Sequence, residues 1–181
     1  MVLNEIKNRR SVRKFKPEMI PDEKITEIIK AAQFAPTAMN NQAIEYIIIK
    51  EQTIKDQIYE ITEPKQEFVK TAPVIIVPFT NTEKTNLATQ DLSLASENIF
   101  LQAAAFGLGS VWKNCYPPVA KKVKFILNIP EKYTLINIIP IGIPEENPKP
   151  YGDFNFKSEG IHTEKYGTKF KIKNDLTRKN K

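Results

Sequence analysis

A chain of 181 residues with 41% hydrophobic and 27% charged residues can bury a useful core without disulfides or metal, and the usual length of ~150 residues per domain predicts one domain over 1–181. Single Cys115 and single His162 exclude an internal disulfide framework and a His/Cys zinc cluster, and suit a reducing cytosol. The net charge of +6 leaves nucleic acid, a membrane surface and small anions to be weighed as partners.

The apolar runs Ile44–Ile49, Val74–Phe79 and Ile136–Ile143 all fall well short of the ~20 residues that span a bilayer, so no membrane partner is expected. The amino terminus lacks an apolar h-region and a small-residue cleavage site. Export is therefore not expected, and a cytoplasmic location is. Much of the positive excess sits in Lys165, Lys169, Lys171, Lys173, Arg178, Lys179 and Lys181. Residues 165–181 read as a solvated basic tail. Its few aromatics argue against base stacking, and no nucleic-acid partner is expected.

Leu3 to Arg9 predicts a short helix, followed by the basic stretch Arg9-Arg10-Ser11-Val12-Arg13. A second helix starts at Pro21 and Asp22, with Asp22 as N-cap and Ile25, Ile28, Ile29 and Ala32 at helical spacing. It should stop before Pro36, because the residue preceding a proline avoids the α region. A loop over residues 35–42 leads into a strand at Ile44 to Lys50. A helix over Thr53 to Ile61 and a buried strand over Val74 to Phe79 follow, then a polar turn over 81–86. The longest helix runs from Leu87 to Phe106, ended by Gly107. Its second half is apolar almost all round, so it must be covered on every side. The cover is either the core of one chain or, in so small a domain, partly a second subunit. Ser110 to Cys115 reads as a strand, Val119 to Leu127 as a helix and Tyr133 to Ile143 as a strand. From Pro144 onward prolines and charges predict an extended arm. Strands interleaved with helices give a three-layer α/β or α+β domain.

Three segments carry chemistry. Arg9, Arg10, Ser11 and Arg13 place guanidinium forks and a hydroxyl where they can surround a phosphate. Taken alone, the run could equally be a solvated basic turn. Pro36, Thr37, Ala38, Asn40 and Gln42 gather hydroxyl and amide groups that suit the edge of an uncharged heteroaromatic ring, though by itself such a loop is first of all a turn. Phe106-Gly107-Leu108-Gly109-Ser110-Val111-Trp112 follows a helix and precedes a strand, the reverse of the dinucleotide fingerprint.

The order of these pieces resembles the nitroreductase family of FMN enzymes over roughly residues 3–167. The resemblance implies an α+β fold of three layers, with a mixed, mostly antiparallel sheet, a long central helix at a dimer interface and an extended C-terminal arm. It implies tightly bound FMN, NAD(P)H as donor, a small organic acceptor such as a nitro compound or quinone, ping-pong turnover and a homodimer. Arg9 and Ser11 would contact the phosphate with Arg10 in support, and Arg13 the pyrimidine edge. The Pro36 to Gln42 loop would reach the flavin bound by the partner subunit. Lys113, Asn114 and Cys115 would bring backbone amides to N5. Lys157, or more weakly Lys149, would add a late basic contact to phosphate. Chemistry on the flavin needs no catalytic side chain, so Cys115 and His162 are read as structural. No metal site is expected.

The chain departs from the family pattern at Ala43-Ile44, where Pro-Trp is usual, in a lysine for the late arginine, and in a short 60–71 region. Reductive dehalogenation or flavin fragmentation on the same fold is the alternative reaction. A non-catalytic flavin- or nucleic-acid-binding protein is the remote alternative.

Overall fold

The computed structural model describes residues 1–146 and 148–170; most of the basic tail lies outside them. The central strand is β2 (Val74–Asn81), buried along its whole length, as a continuous apolar run requires. It pairs antiparallel with β1 (Ile44–Ile49) on one side, and on the other with β5 (Tyr133–Thr134) and β6 (Asn137–Gly142). The ladder to β5 and β6 skips residues 77–79, where Pro78 has no N–H to give. Beyond β6 lie β3 (Gly109–Ser110) and β4 (Lys113–Asn114), both antiparallel to it. A parallel bridge between Ser11 and Ser110 makes the sheet mixed.

Strand alternation sorts the β2 side chains into two cores. Val74 and Ile76 face one layer with Ile25, Ile28, Ile99 and Ala103, which belong to α2 (Asp22–Gln33) and α5 (Ala88–Ala105). Ile75, Val77 and Phe79 face the other with Ile58, Val69 and Val123, from α3 (Gln52–Ile61), α4 (Phe68–Thr71) and α6 (Pro117–Ile126). Short α1 (Asn4–Asn8) lies against α5. Helices therefore cover both faces of the sheet, as the three-layer reading required.

Several local expectations change. Asp22 is not an N-cap: Pro21 holds that position without a side-chain cap bond, and the Asp22 carboxylate pairs with Lys50. The strand expected over Ser110–Cys115 is two short pieces, and that expected over Tyr133–Ile143 is also divided. Helix α4 was not expected, since four residues are too few to show a period. Its Phe68 and Val69 are buried and join the core.

Helix α5 ends as a Schellman motif. Leu108 N–H donates to Ala103 C=O at 2.9 Å, Gly107 N–H donates to Ala104 C=O at 3.0 Å, and Gly107 has φ +69°. Gly109 answers a different need. A Cβ there would lie 2.6 Å from Val12 Cβ, so only glycine lets residues 11–13 run against β3. That close approach positions the basic run.

Candidate functional site

Residues 11–16 form an extended edge. Val12 N–H donates to Ser110 C=O at 3.0 Å, and Lys16 N–H donates to Ile143 C=O at 2.8 Å. Val12 and Phe15 point into the core, while Ser11 and Arg13 face outward. Ser11, Arg13 and Lys14 line a shallow cleft of about 180 Å³ with Glu146 and Pro148. Two cations against one carboxylate leave it electropositive, which suits an anion. A neighbouring cleft of about 420 Å³ shares Val12 and Pro148 and adds Asn8, Arg10, Gly109 and Lys149. Arg9, at the end of α1, is half-buried.

Arg10 behaves differently from the expected phosphate support. Its guanidinium donates to Lys149 C=O and lies 4.5 Å over the Tyr151 ring. Tyr151 N–H in turn donates to Lys7 C=O at 2.9 Å. Arg10 thus clamps the start of the C-terminal arm. The late lysine that shares a cleft with an arginine is Lys149, beside Arg10. Lys157 is exposed between two short 3-10 turns and is not among the residues lining either cleft.

The Pro36 to Gln42 loop lies elsewhere on the chain's surface. Thr37 and Gln42 line a separate cavity of about 330 Å³ with Gln33, Phe34 and Tyr46. Met39, Asn40 and Gln42 have φ of 52°, 55° and 48°, left-handed values uncommon without glycine. Internal bonds help to hold them: Gln42 N–H donates to Thr37 Oγ1 at 3.1 Å and Ala43 N–H to Asn41 Oδ1 at 3.0 Å. Ala38 N–H donates to Asp91 Oδ1 at 2.9 Å. The Tyr46 hydroxyl at the cavity wall is buried without a hydrogen-bond partner among the described residues, and burial pushes its pKa above the usual 10.

At Trp112–Cys115 the expected amide contacts sort by strand alternation. Cys115 N–H donates to Ile136 C=O at 2.8 Å, so it is not free for a ring edge. Lys113 pairs with Ile138 in the same register, which leaves the Asn114 amide pointing away from β6. The Asn114 side chain accepts from Trp112 Nε1 at 3.3 Å. Lys113 turns its side chain inward, and Nζ donates to the carbonyls of Glu63 and Pro64, both at 3.2 Å. Burial lowers its pKa below 10.5, with the Cys115 thiol opposing.

Burial pushes the Cys115 thiol up to about 12, against opposing effects from Lys113 and a backbone hydrogen bond. The native state therefore keeps a proton that the unfolded chain releases above about 9. This coupling lowers stability as pH rises from about 9 to about 12. Iodoacetamide at pH 8 should leave the native thiol unlabelled, and unfolding in guanidinium should release it for fast alkylation. Fast labelling of the native protein would contradict this burial.

The clefts fit the two ends of a phosphorylated heteroaromatic group: cations and a hydroxyl at one, uncharged amides and hydroxyls at the other. Within one chain the Arg9 to Arg13 run and the Pro36 to Gln42 loop line different cavities. Sequence reasoning missed Asp91, Tyr151 and the inward turn of Lys113. Nothing in the local pattern links Asp91 to Ala38 across 53 positions. Among the described residues there is no group of three or more His, Cys, Asp or Glu side chains that could hold a metal. Nor is any described helix long and apolar enough to cross a membrane.

Comparison with known proteins agrees with this geometry. The Nitroreductase family model matches residues 6–64 and 60–143. A protein of Methanothermobacter thermautotrophicus, named as a candidate NADH dehydrogenase/NAD(P)H nitroreductase, is 34% identical over 170 residues, covering 91% of this chain and 87% of that one. The iodotyrosine deiodinase of Thermotoga neapolitana is 28% identical over 174 residues, covering 83% and 91%. The solved FMN-dependent nitroreductase of Clostridium difficile R20291 superposes with a TM-score of 0.85 at 30% identity, covering 90% of this chain and 98% of that one. With the family model spanning most of the chain and the fold matching a solved member, this protein belongs to the nitroreductase family.

Proposed function

We propose that the chain is an FMN-dependent oxidoreductase that carries a hydride from NAD(P)H, by way of the flavin, to a small organic acceptor. The observation that carries this reading is the electropositive Ser11–Arg13–Lys14 cleft on a chain of this family. Bound FMN would supply the redox chemistry, with donor and acceptor using the same space in turn. The chain's residues bind and orient. Arg9, Ser11 and Arg13 hold the phosphate and pyrimidine end, and the outward Asn114 amide serves the ring. Thr37, Ala38, Asn40 and Gln42 present hydroxyl and amide groups to the flavin of a second subunit. Pro36 ends the preceding helix so that this loop can turn. No side chain is required to donate or accept a proton in the first half-reaction.

The homodimer is supported by the apolar surface around α5. Phe34, Leu3, Leu94 and Ile6 are exposed by 81%, 65%, 45% and 45%, and Leu101 lines a groove with Leu3, Ile6 and Phe34. Exposed apolar side chains gathered along one groove suit an interaction surface. Two copies would also bring together the two residue sets that one chain keeps apart. The lone cysteine supports a cytoplasmic location.

The test is reconstitution with FMN, the visible spectrum of the purified complex, and NAD(P)H oxidation with nitroaromatic and quinone acceptors under anaerobic conditions. Protein that never takes up flavin would overturn the reading. The similarity to a deiodinase adds a halogenated phenol to the acceptor panel. Turnover of it, with nitroaromatics and quinones idle, would favour reductive dehalogenation.

A further inference from the structure

Three left-handed residues in one short loop persist only where surrounding structure over-determines them. The buried external brace here is Asp91, beside a longer bond from Asn41 Nδ2 to Lys84 C=O at 3.4 Å. Its side chain is buried, at 3% exposure, and both carboxylate oxygens are taken. Oδ1 accepts Ala38 N–H at 2.9 Å, and Oδ2 accepts the Thr85 hydroxyl at 2.8 Å. Thr85 Oγ1 also accepts Leu87 N–H at 3.1 Å, which fixes the entry to α5.

An acidic residue in a first helical turn commonly serves its own helix. This one does more than that. The N-cap of α5 is Leu87, without a side-chain cap bond, and the Asp91 oxygens reach a neighbouring turn and a distant loop. The positive end of the α5 dipole lies beside the carboxylate and offsets part of the cost of burying its charge. The brace is therefore anchored on a long helix packed in the core, while its working end holds the first amide of the loop.

We infer that Asp91 is a positioning residue of the flavin site. It sets the backbone of Ala38, and so the direction in which Thr37, Asn40 and Gln42 present their polar groups to the ring. This inference rests on the flavin reading above. Thr85 is the second member of the device, holding the carboxylate in the orientation that serves Ala38.

Three variants of the full-length protein, Asp91→Ala, Asp91→Asn and Thr85→Val, test it. Each is compared with wild type for FMN dissociation constant, visible circular dichroism of bound flavin, and melting temperature without flavin. Loss of a charge-assisted bond to the loop should weaken FMN binding roughly 10- to 100-fold in Asp91→Ala and change the flavin dichroism. Asp91→Asn keeps an acceptor for Ala38 and should recover most of both. Thr85→Val should weaken binding by several-fold. Wild-type affinity and dichroism in a folded Asp91→Ala protein would overturn the inference, even if its melting temperature fell. If Asp91→Ala does not fold, Thr85→Val decides by the same two readings, and wild-type values there overturn it. Failure of the wild type to bind FMN would instead strike the parent reading.

Discussion

Replacing both Arg9 and Arg13 with alanine should yield a folded protein that purifies without flavin colour. Arg13 is exposed, Arg9 is half-buried, and neither belongs to the two buried apolar clusters, so the fold should tolerate the change. Each charge-assisted hydrogen bond, from Arg9 to the phosphate or from Arg13 to the pyrimidine edge, contributes about 1.5–3 kcal/mol. Losing two should weaken FMN binding by roughly 10²- to 10⁴-fold, at about 1.4 kcal/mol per tenfold. Fluorescence titration of FMN measures this directly. A double variant as yellow as wild type would remove these arginines from the site. Arg10→Ala provides the contrast. Its guanidinium is engaged by Lys149 and Tyr151, so this change should loosen the arm and affect FMN less.

The second large effect should come from Leu101→Asp on the outer face of α5. Leu101 lines the apolar groove with Leu3, Ile6 and Phe34. Burying a carboxylate against that surface without a partner costs several kcal/mol. Sedimentation should shift from twice the chain mass to 20.7 kDa, and flavin should be lost with the partner's loop. Phe125→Asp serves as the control. Phe125 is 84% exposed and sits on α6, across the sheet from α5, so that variant should remain dimeric and yellow. A Leu101→Asp protein that stays dimeric and holds FMN would place the interface elsewhere.

The two experiments divide the site between chains. The arginine variant removes a contact made by the subunit that holds the phosphate. The leucine variant removes the subunit that supplies the loop. The buried Tyr46 hydroxyl, unpartnered among the described residues, lies on the loop's own cavity.

Much of the architecture was legible in order along the chain. The run Val74–Phe79 reads as a buried strand, and Ile25, Ile28, Ile29 and Ala32 as one face of a helix, and the structure has both. Gly107 marked the end of α5 and does adopt the left-handed cap. These are properties of periodicity and of single-residue backbone preference, which operate within a few neighbours. The basic run and the polar loop were also visible, because their side-chain chemistry is unusual where it stands.

What the amino-acid order could not decide was which distant groups meet. Arg10 reads as one more phosphate ligand until the arm returns and Lys149, 139 positions away, takes its donor. Lys113 is read only for its backbone amide until β4 is laid against β6 and its ammonium falls beside the carbonyls of Glu63 and Pro64. Asp91 reads as an ordinary first-turn acid until α5 is packed beside the loop that begins at Thr37. Secondary structure follows from local sterics and hydrophobic spacing. A hydrogen bond between segments far apart exists only once the sheet has set their separation, and its ångström-scale tolerance leaves no trace in composition or period.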